Sequence, residues 1–593
     1  MSQIALLCGT ALLTTNAMAA PPRPAPADTI LRNANVVTVS ARGNFRGAVA
    51  IRAGRIIYVG NDAGARALTG RATTSIDLHG QTLMPGLVDG HMHPLGGGTQ
   101  LLTCNLNYAA LTIAEFQTRI QACLDKDGDK EPDRLLEVVN WFQQNMEGGA
   151  TASTHELLDG LKTRRPIAVG SSFGHSTLVN ARALELAGIG KATPNPAGGR
   201  INRDAAGNPT GLLEDTAQSL IDPLQRKLSP AENVTAAKAA LAALREQGVT
   251  TFLDAAASAE TISAFATVQK QGGLTARAHF AVLIRPDQSD APAKIVAALK
   301  TVSRTYDQGA IGPAPTITVR NAKLFLDGVI TAPAFTGAML APYLVNHGTS
   351  EKPNWEPGPS RGPDTYFPLP RLADLLVDLA DQGIDAHLHA DGDRAVRTAL
   401  DAIQILRQRR PGKDIRPAIA HDEVASPADF GRFAQLGAIP VLSFQWAKRA
   451  VDTVDGAETF LGPDRFRMME PEGYLQRAGA RIAYGSDWPV DPLDEMYALK
   501  VAVTRTAGDD APPQYRGRLG DDPGLSLSEA VKAITLNSSY ELRQEHLTGS
   551  IETGKLADLI ILDRNIFTIP AEDIGKTKVQ MTIVGGKVVY RRP

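Results

Sequence analysis

"LMPGLVDGHMHP", residues 83–94, runs from apolar residues through a glycine into two histidines. In an extended strand, residues two apart share a face, so His91 and His93 point the same way. Two imidazoles on one face supply half of a metal site, because a structural or catalytic ion takes three or four ligands. A polar strand end whose histidines bond to the backbone is the alternative. The pair therefore requires partners from distant parts of the chain.

Outward from this stretch, apolar β-branched runs alternate with helical stretches. "GVTTFLDA" follows the helical "AAKAALAALREQ", and "IDAHLHA" follows "LADLLVDLADQ". With the run at 83–91 included, eight such strands can be counted. Parallel strands with helical crossovers satisfy this alternation, so we predict an α/β fold with a TIM-like (β/α)₈ barrel over residues 83–540. A doubly wound sheet alternates similarly and is the alternative.

Short alternating strands with glycine turns occupy both ends of the chain, over residues 20–82 and 541–593. A few strands cannot bury a face alone, so we predict that the two termini pair into one small β-sandwich module. Residues of about 105–230 are too long for a simple helical connection and contain strands of their own. We interpret them as an insertion over the carboxyl end of the first strand, and residues 335–370 as a second lid-forming loop.

The charge is nearly balanced, with 61 Lys and Arg against 63 Asp and Glu and a formal net charge of −2. The net charge creates no strong electrostatic field that would attract nucleic acid or an anionic membrane, so we expect a small-molecule substrate. Assembly into a homo-oligomer is possible. Residues 1–19 resemble a signal peptide, with an apolar stretch that ends in Ala17-Met18-Ala19 but without Lys or Arg before it. The expected location is outside the cytoplasm, in the periplasm.

Cysteine usage agrees with export. If Cys8 leaves with the signal peptide, only Cys104 and Cys123 remain. An oxidising compartment permits a disulfide between them, which we predict. Two buried thiols in a reduced protein are the alternative.

Other candidate ligands lie where later strands end. His389 ends "IDAHLHA", His421 ends "RPAIAH" and Asp487 ends "RIAYGSD", whereas Lys323 lies inside "NAKLFLDG". Barrel enzymes keep their chemistry at the carboxyl ends of their strands. Each residue alone also fits a structural role, as a hydrogen-bonded histidine or a helix-capping aspartate. Together they offer the nitrogen and oxygen donors that suit Zn²⁺ or a similar ion.

Several motifs resemble the amidohydrolase superfamily, specifically the amidohydrolase family 3 group similar to N-substituted formamide deformylase. They are "PGLVDGHMHP", "AKLFLDG", "HADGDRAV", "YGSDWPVDPLD" and "GSIETGKLADLIILDR", and the resemblance covers nearly the whole mature chain. It implies a metal-dependent hydrolase barrel whose metal ligands are His91, His93, Lys323, His389, His421 and Asp487. It also implies an N6-carboxylysine at Lys323 that joins two metals, since a buried neutral amine can capture CO₂. A plain lysine beside one metal is the alternative.

Two residues depart from the pattern of similar proteins. Asp391 stands where an apolar residue is usual, and the additional His387 lies on the same face as His389. Either residue suits a hydrogen-bond partner that orients a ligand. "SFGHSTLVN" resembles the family's GHS segment, which implies that His175 contacts the substrate carbonyl or amide, although a structural role fits equally.

The expected reaction is hydrolysis of an amide-type C–N bond other than a peptide bond. The substrate would be an N-substituted formamide, an N-acyl amine, a carbamate or a cyclic amide, with metal-activated hydroxide as nucleophile and Asp487 as general acid and base. Ester, lactone or phosphoester hydrolysis at the same site, or a non-catalytic exported binding protein, are the alternatives. Four aromatic residues favour an apolar ligand but also fit a core: Trp141, Phe173, Trp446 and Trp488.

Overall fold

The computed structural model describes residues 25–593 except 129–132, 144, 145, 147–152, 173, 175, 197, 198, 289–291, 333, 350 and 510. The predicted signal peptide, Phe173 and His175 therefore lie outside the described residues. Within the described ranges, we find no helix with the length and apolar character needed to cross a membrane.

Eight parallel strands form a nearly closed ring in the middle of the chain, which confirms the predicted TIM-like barrel. Neighbouring strands in the ring follow one another in the sequence, and the first and eighth meet where the Asp487 N–H donates to the His91 carbonyl at 2.7 Å. The barrel strands, named first to eighth below, are Leu87–Met92, Val249–Ala257, Arg277–Leu283, Ile317–Phe325, Asp385–Ala390, Ala418–His421, Ile439–Leu442 and Ala483–Tyr484.

Helices cover the outside of the ring, and their ends follow local sequence signals. The helix before the second strand begins at a capping box of Ser229 and Glu232 and ends at Gly248, whose φ of 83° suits glycine. Phe252, Phe265 and Phe280 then pack between this strand, the next helix and the third strand, with ring centroids 5.4 to 6.1 Å apart. The helices between the barrel strands are Pro230–Gln247, Ala259–Lys270, Pro292–Tyr306, Leu369–Asp381, Asp393–Arg409, Phe430–Leu436 and Glu472–Arg477.

Five further α-helices follow the seventh strand outside this pattern, together with two π-helical turns. They are the α-helices Thr459–Leu461, Pro463–Phe466, Glu495–Thr504, Leu527–Lys532 and Ser538–Glu541 and the π-helical turns Val451–Glu458 and Ala533–Asn537. The turn Ala533–Asn537 joins two of these helices directly. It therefore sets the direction of the last one, which packs near the eighth strand.

The two termini share one mixed eight-stranded sheet, which confirms the predicted β-module built from both ends of the chain. Thr82–Pro85 pairs antiparallel with Leu559–Leu562 and parallel with the strand that begins at Thr29. Buried side chains from both ends fill a common core. The division of the chain after residues 82 and 540 stays a prediction. The remaining strands are Thr29–Val36, Phe45–Arg52, Arg55–Gly60, Thr74–Asp77, Val579–Val584 and Lys587–Arg591, and a helix covers Asp62–Arg66.

A buried ion pair joins the base of the barrel to this terminal sheet. Arg277, the first residue of the third strand, donates to both carboxylate oxygens of Asp558 at 2.6 and 3.0 Å. Its other N–H groups donate to the carbonyls of Gly312 and Pro313, and the Gly585 N–H donates to Asp558. Every charged group at this junction therefore has hydrogen-bond partners.

The long insertion forms a six-stranded sheet of its own. A disulfide between Cys104 and Cys123, with Cα atoms 5.8 Å apart, joins its edge strand to the helix Ile113–Asp127. Tyr108 donates to the Pro489 carbonyl at 2.7 Å, so the insertion contacts the segment after the eighth barrel strand. The strands are Cys104–Asn105, Leu136–Trp141, Ile167–Ser171, Ser176–Val179, Gly199–Arg203 and Pro209–Asp215, and the helices are Ile113–Asp127, Glu156–Asp159 and Ala181–Leu186. The helix Pro94–Leu102 joins the first barrel strand to the insertion.

The second loop, residues 335–370, carries a short antiparallel hairpin of Leu344–Asn346 and Trp355–Pro357. The turn-rich composition of this loop therefore includes local strands. It stands between the fourth barrel strand and the helix Leu369–Asp381.

Candidate metal centre and active site

The six predicted ligands come together at the carboxyl end of the barrel. His91 lies near the end of the first strand, His389 near the end of the fifth, and His421 is the last residue of the sixth. Parallel pairing sets His421 beside Ala390 and Lys323 beside His387. Asp487 follows the eighth strand, and its amide is held by the His91 carbonyl. The strand order of the ring is thus what brings these distant residues to one end.

The first donor group consists of His91, His93 and Asp487, whose ligand atoms all lie within 4.8 Å of one another. The Nε2 atoms of His91 and His93 are 3.3 and 3.1 Å from Asp487 Oδ1. His91 and Asp487 are buried, whereas the side chain of His93 is 30% exposed. The group therefore offers two nitrogens and an oxygen around one point with access from solvent on one side.

The second donor group consists of His389, Asp391 and His421, again with ligand atoms within 4.8 Å of one another. The ring of His421 lies 4.6 Å from that of His389 and 4.7 Å from that of His91, centroid to centroid. The two groups are therefore neighbours. Asp391, interpreted from the sequence as a partner of a ligand, stands in the structure among the potential ligands themselves.

Lys323 lies close to both groups and is fully buried. Its Nζ is 3.4 Å from His91 Nε2 and 4.6 Å from the centroid of the Phe325 ring, which packs against His389. Burial lowers the pKa of Lys323 to about 7, although the charges of Asp487 and Asp391 act in the opposite direction. A substantial fraction of this amine is therefore uncharged near neutral pH.

The protonation states favour metal binding. Burial lowers the pKa of His389 to about 3 and holds the pKa values of His91 and His421 well below the ordinary range, so these imidazoles are neutral. For Asp487, burial alone would raise the pKa, but the hydrogen bond from His93 and the electrostatic effect of the neighbouring imidazoles and of Lys323 lower it overall. The site thus combines neutral nitrogen donors with an ionised carboxylate.

A site that binds a metal ion is expected to contain a buried donor atom without a hydrogen-bond partner from the protein. His421 Nδ1 is buried and has no hydrogen-bond partner among the described residues. A buried polar atom without a partner is costly, so an ion beside it would satisfy a need that the protein leaves open. Donor number, type and proximity therefore fit a divalent ion such as Zn²⁺.

Two of the predicted ligands occupy unusual backbone conformations. His421 has a φ of 81° and Asp487 a φ of 53°, both in the left-handed region. Non-glycine residues held in such conformations cost about 1–3 kcal/mol each and persist where the surrounding structure fixes them. Here they aim the side chains of two strand ends into the common site.

Several buried acids at the site did not follow from the sequence pattern alone. Asp327 accepts from the N–H groups of Ala338, Asp391 and Gly392 and lies 3.7 Å from His389 Nε2. Burial raises its pKa to about 7. The sequence did carry a signal, because Asp327 ends the strand-like motif "AKLFLDG", as Asp254 ends "GVTTFLDA". An aspartate near the end of each strand-like motif is therefore the signal by which Asp327 and Asp254 can be assigned to the site.

His387 contacts the first donor group through the ring of His91. Its Nε2 lies 2.7 Å from His91 Nδ1, and its Nδ1 lies 3.2 Å from Glu541 Oε1. Its role as a hydrogen-bond partner of a ligand stays a prediction. Glu541 carries no signal in the sequence, because it lies in a short helix after the eighth strand.

The predicted pocket aromatics divide between site and core. Trp446 stacks on His421 with centroids 5.3 Å apart and donates to Asp491 at 2.8 Å. Trp141 instead packs against Phe116 inside the insertion and is fully buried. Trp141 therefore belongs to a core, since its ring fills the centre of the insertion's own hydrophobic cluster.

Comparisons with known proteins agree with this geometry. A family model described as the amidohydrolase family matches residues 74–590. Protein LONG AFTER FAR-RED 3 of Arabidopsis thaliana is 26% identical, over 96% of this chain and 93% of its own length. N-substituted formamide deformylase of Arthrobacter pascens is 24% identical, over 95% of this chain and 98% of its own length.

The fold is also shared with a solved structure. An uncharacterized metal-dependent hydrolase from Pyrococcus horikoshii superimposes with a TM-score of 0.69 at 21% identity, covering 92% of this chain and 99% of that chain. The chain belongs to the amidohydrolase family, which confirms the resemblance seen in its motifs. Family and donor groups together support a metal-dependent hydrolase that acts on carbon–nitrogen bonds.

Proposed function

We propose that the protein hydrolyses an amide-type C–N bond other than a peptide bond, with Asp487 as general acid and base. The substrate class comprises N-substituted formamides, N-acyl amines, carbamates and cyclic amides. The observation that carries the proposal is the position of Asp487, a buried ionised carboxylate between two imidazoles at 3.1 and 3.3 Å. Similarity to a formamide deformylase over almost the whole chain supports the choice of bond.

The chain's own residues supply holding, orientation and proton transfer. A divalent ion bound here would supply hydroxide near neutral pH and polarise a carbonyl. Asp487 accepts the proton of the attacking water and delivers it to the leaving nitrogen, so an N-acyl amine gives a carboxylic acid and an amine, and a cyclic amide opens to a single molecule with both groups. His93 keeps the carboxylate in place through its contact with Oδ1. For a formamide, the acid released is formate.

We further propose that the site holds two ions, with a carboxylated Lys323 between them. Two neighbouring donor groups support this number, and the lowered pKa of the Lys323 amine, about 7, supports CO₂ capture. Carboxylation would turn the amine into an anionic oxygen donor. Elemental analysis of protein loaded with Zn²⁺ should give two ions per chain, falling to one or none in Lys323→Ala. One ion per chain in both proteins would contradict this proposal.

The substitution Asp487→Asn tests the reaction itself. We expect kcat/KM for N-formyl and N-acyl amines to fall by about 10² to 10⁴, the usual contribution of a general acid and base. Asp364→Asn is a matched control, because it makes the same chemical change on a fully exposed side chain and should keep wild-type activity.

The substrate panel also contains esters, lactones and phosphoesters. Faster turnover of any of these than of every amide would show that the bond assignment is wrong. Unchanged kcat/KM in Asp487→Asn would contradict the role given to this carboxylate.

A further inference from the structure

We propose that Glu541 is a positioning residue for the first donor group: acting through His387, it fixes the orientation of His91 and so raises the affinity of the site for its ion. The inference rests on the metal centre of the proposed function. It adds a residue of the short helix Ser538–Glu541, which would act on the ion only through His387 and His91.

A buried chain of three side chains carries the inference. His91 Nδ1 lies 2.7 Å from His387 Nε2, and His387 Nδ1 lies 3.2 Å from Glu541 Oε1. None of the three residues is more than 1% exposed. Neither His387 Nδ1 nor the Glu541 carboxyl oxygens form a hydrogen bond with any other described residue, and their own 3.2 Å contact is a close approach of N and O without ideal hydrogen-bond angles. Each member of the chain therefore depends on the next.

The proton positions along this chain follow from the first member. His91 turns Nε2 toward Asp487 and Lys323, so the lone pair for an ion lies on Nε2 and the proton on Nδ1. The Nδ1–H then donates to His387 Nε2, which leaves the proton of His387 on Nδ1, facing Glu541. An acceptor oxygen of Glu541 at the end of the chain selects this arrangement and makes His91 a better donor.

The first strand leaves space for this carboxylate at Gly90, inside the same motif as the metal-binding pair. A Cβ at this position would overlap Glu541 Oε2 and press against the Tyr484 carbonyl. The absence of a side chain at Gly90 is thus what lets Glu541 lie against the first strand.

Two contacts hold the Glu541 helix in this position. Ser538 Oγ accepts from the Tyr484 N–H at 3.0 Å, and the Asn537 side-chain amide donates to the Ile482 carbonyl at 2.8 Å. The helix Ser538–Glu541 is therefore anchored to the eighth barrel strand and its approach. These contacts fix the position of Glu541, the last residue of the helix, against the barrel interior.

The experiment measures Zn²⁺ affinity of the metal-free full chain by competition with a chromophoric chelator. Glu541→Leu should weaken binding about 10- to 100-fold, the usual effect of removing a partner of a ligand, and Glu541→Gln should weaken it less because the amide oxygen still accepts. Glu472→Gln is the matched control, since Glu472 is equally buried but contacts Arg505 instead. Its Zn²⁺ affinity should equal that of the wild type.

Two further measurements separate positioning from general damage. In the His387→Ala background, Glu541→Leu should weaken Zn²⁺ binding no further, because the residue acts only through His387. The visible spectrum of the Co²⁺-loaded protein should change in Glu541→Leu and not in Glu472→Gln. If Glu541→Leu fails to fold, Gly90→Ala tests the same point, and its Zn²⁺ affinity should also fall.

The outcomes for the two proposals differ. Zn²⁺ affinity equal to wild type in Glu541→Leu or in Gly90→Ala would overturn the positioning role and leave the proposed hydrolase intact. A further loss of affinity on adding Glu541→Leu to His387→Ala would also overturn it. Absence of Zn²⁺ binding by the wild type would overturn the metal centre and this inference together.

Discussion

The two ends of the barrel bury charged groups in opposite ways. At the base, the Arg277 and Asp558 side chains form two mutual hydrogen bonds and their remaining groups are also paired. At the mouth, His421 Nδ1 has no partner among the described residues, and burial beside other acids raises the pKa of Asp391 well above its ordinary value. At the base, every charged side chain is paired with protein groups. At the mouth, which is the carboxyl end of the barrel strands, a bound cation would supply the partner that the protein does not.

Removing a candidate ligand at the mouth should have the largest effect on activity. His421→Ala removes one donor of the second group, so we expect turnover to fall by more than about 100-fold, beyond the cost of losing only a partner of a ligand. Bound Zn²⁺ should fall as well, by elemental analysis. The metal-free protein should lose stability only through the packing of the ring against Trp446, because His421 Nδ1 has no hydrogen-bond partner among the described residues.

Loading with the ion gives the complementary measurement. At a free Zn²⁺ concentration 100 times the dissociation constant, the wild type should gain about 2.7 kcal/mol of stability. His421→Ala should gain less at the same concentration. A full complement of Zn²⁺ and normal turnover in His421→Ala would refute the assignment of His421 as a ligand.

Breaking the base should lower stability instead of activity. Arg277→Ala leaves the Asp558 carboxylate buried without its partner, so we expect a loss of about 3–5 kcal/mol in unfolding free energy. Zn²⁺ content and kcat/KM at low temperature should stay at wild-type values. Chemical denaturation and elemental analysis on the same preparation test both parts.

A surface pair of the same geometry is the control for burial. Arg410 donates to both oxygens of Asp381 at 2.7 and 2.5 Å, but the two side chains are 39% and 32% exposed. Arg410→Ala should therefore lower stability far less than Arg277→Ala, since water replaces the lost partner. Equal losses in the two variants would mean that burial does not set the cost at the base.

The sequence predicts the barrel and most of the donor set because both depend on local signals. Strand-end residues of a parallel ring share one end, so His91, His389, His421 and Asp487 can be placed without coordinates. The distance of each side chain from the next depends on the stagger of the ring, which no local pattern reports. For this reason Asp391 could be assigned only as a partner, although it stands within ligand distance of two histidines.

Residues that reach the site from other elements are harder to predict. Glu541 arrives from a helix whose direction is set by the π-helical turn Ala533–Asn537, and the spacing of apolar residues does not reveal such a turn. Asp327 could have been found, since it ends a strand-like motif. Trp141 and Trp446 cannot be told apart by composition, because one fills the core of an insertion and the other stacks on His421.

The shared sheet of the two termini has a consequence for how the molecule is made. The edge of Thr82–Pro85 that faces Leu559–Leu562 is synthesised early, yet its partner leaves the ribosome last. Until translation ends, this apolar strand keeps an open edge, which is a site for unwanted pairing between nascent chains. Premature termination or proteolytic clipping near the C-terminus would restore the same open edge in an otherwise finished barrel.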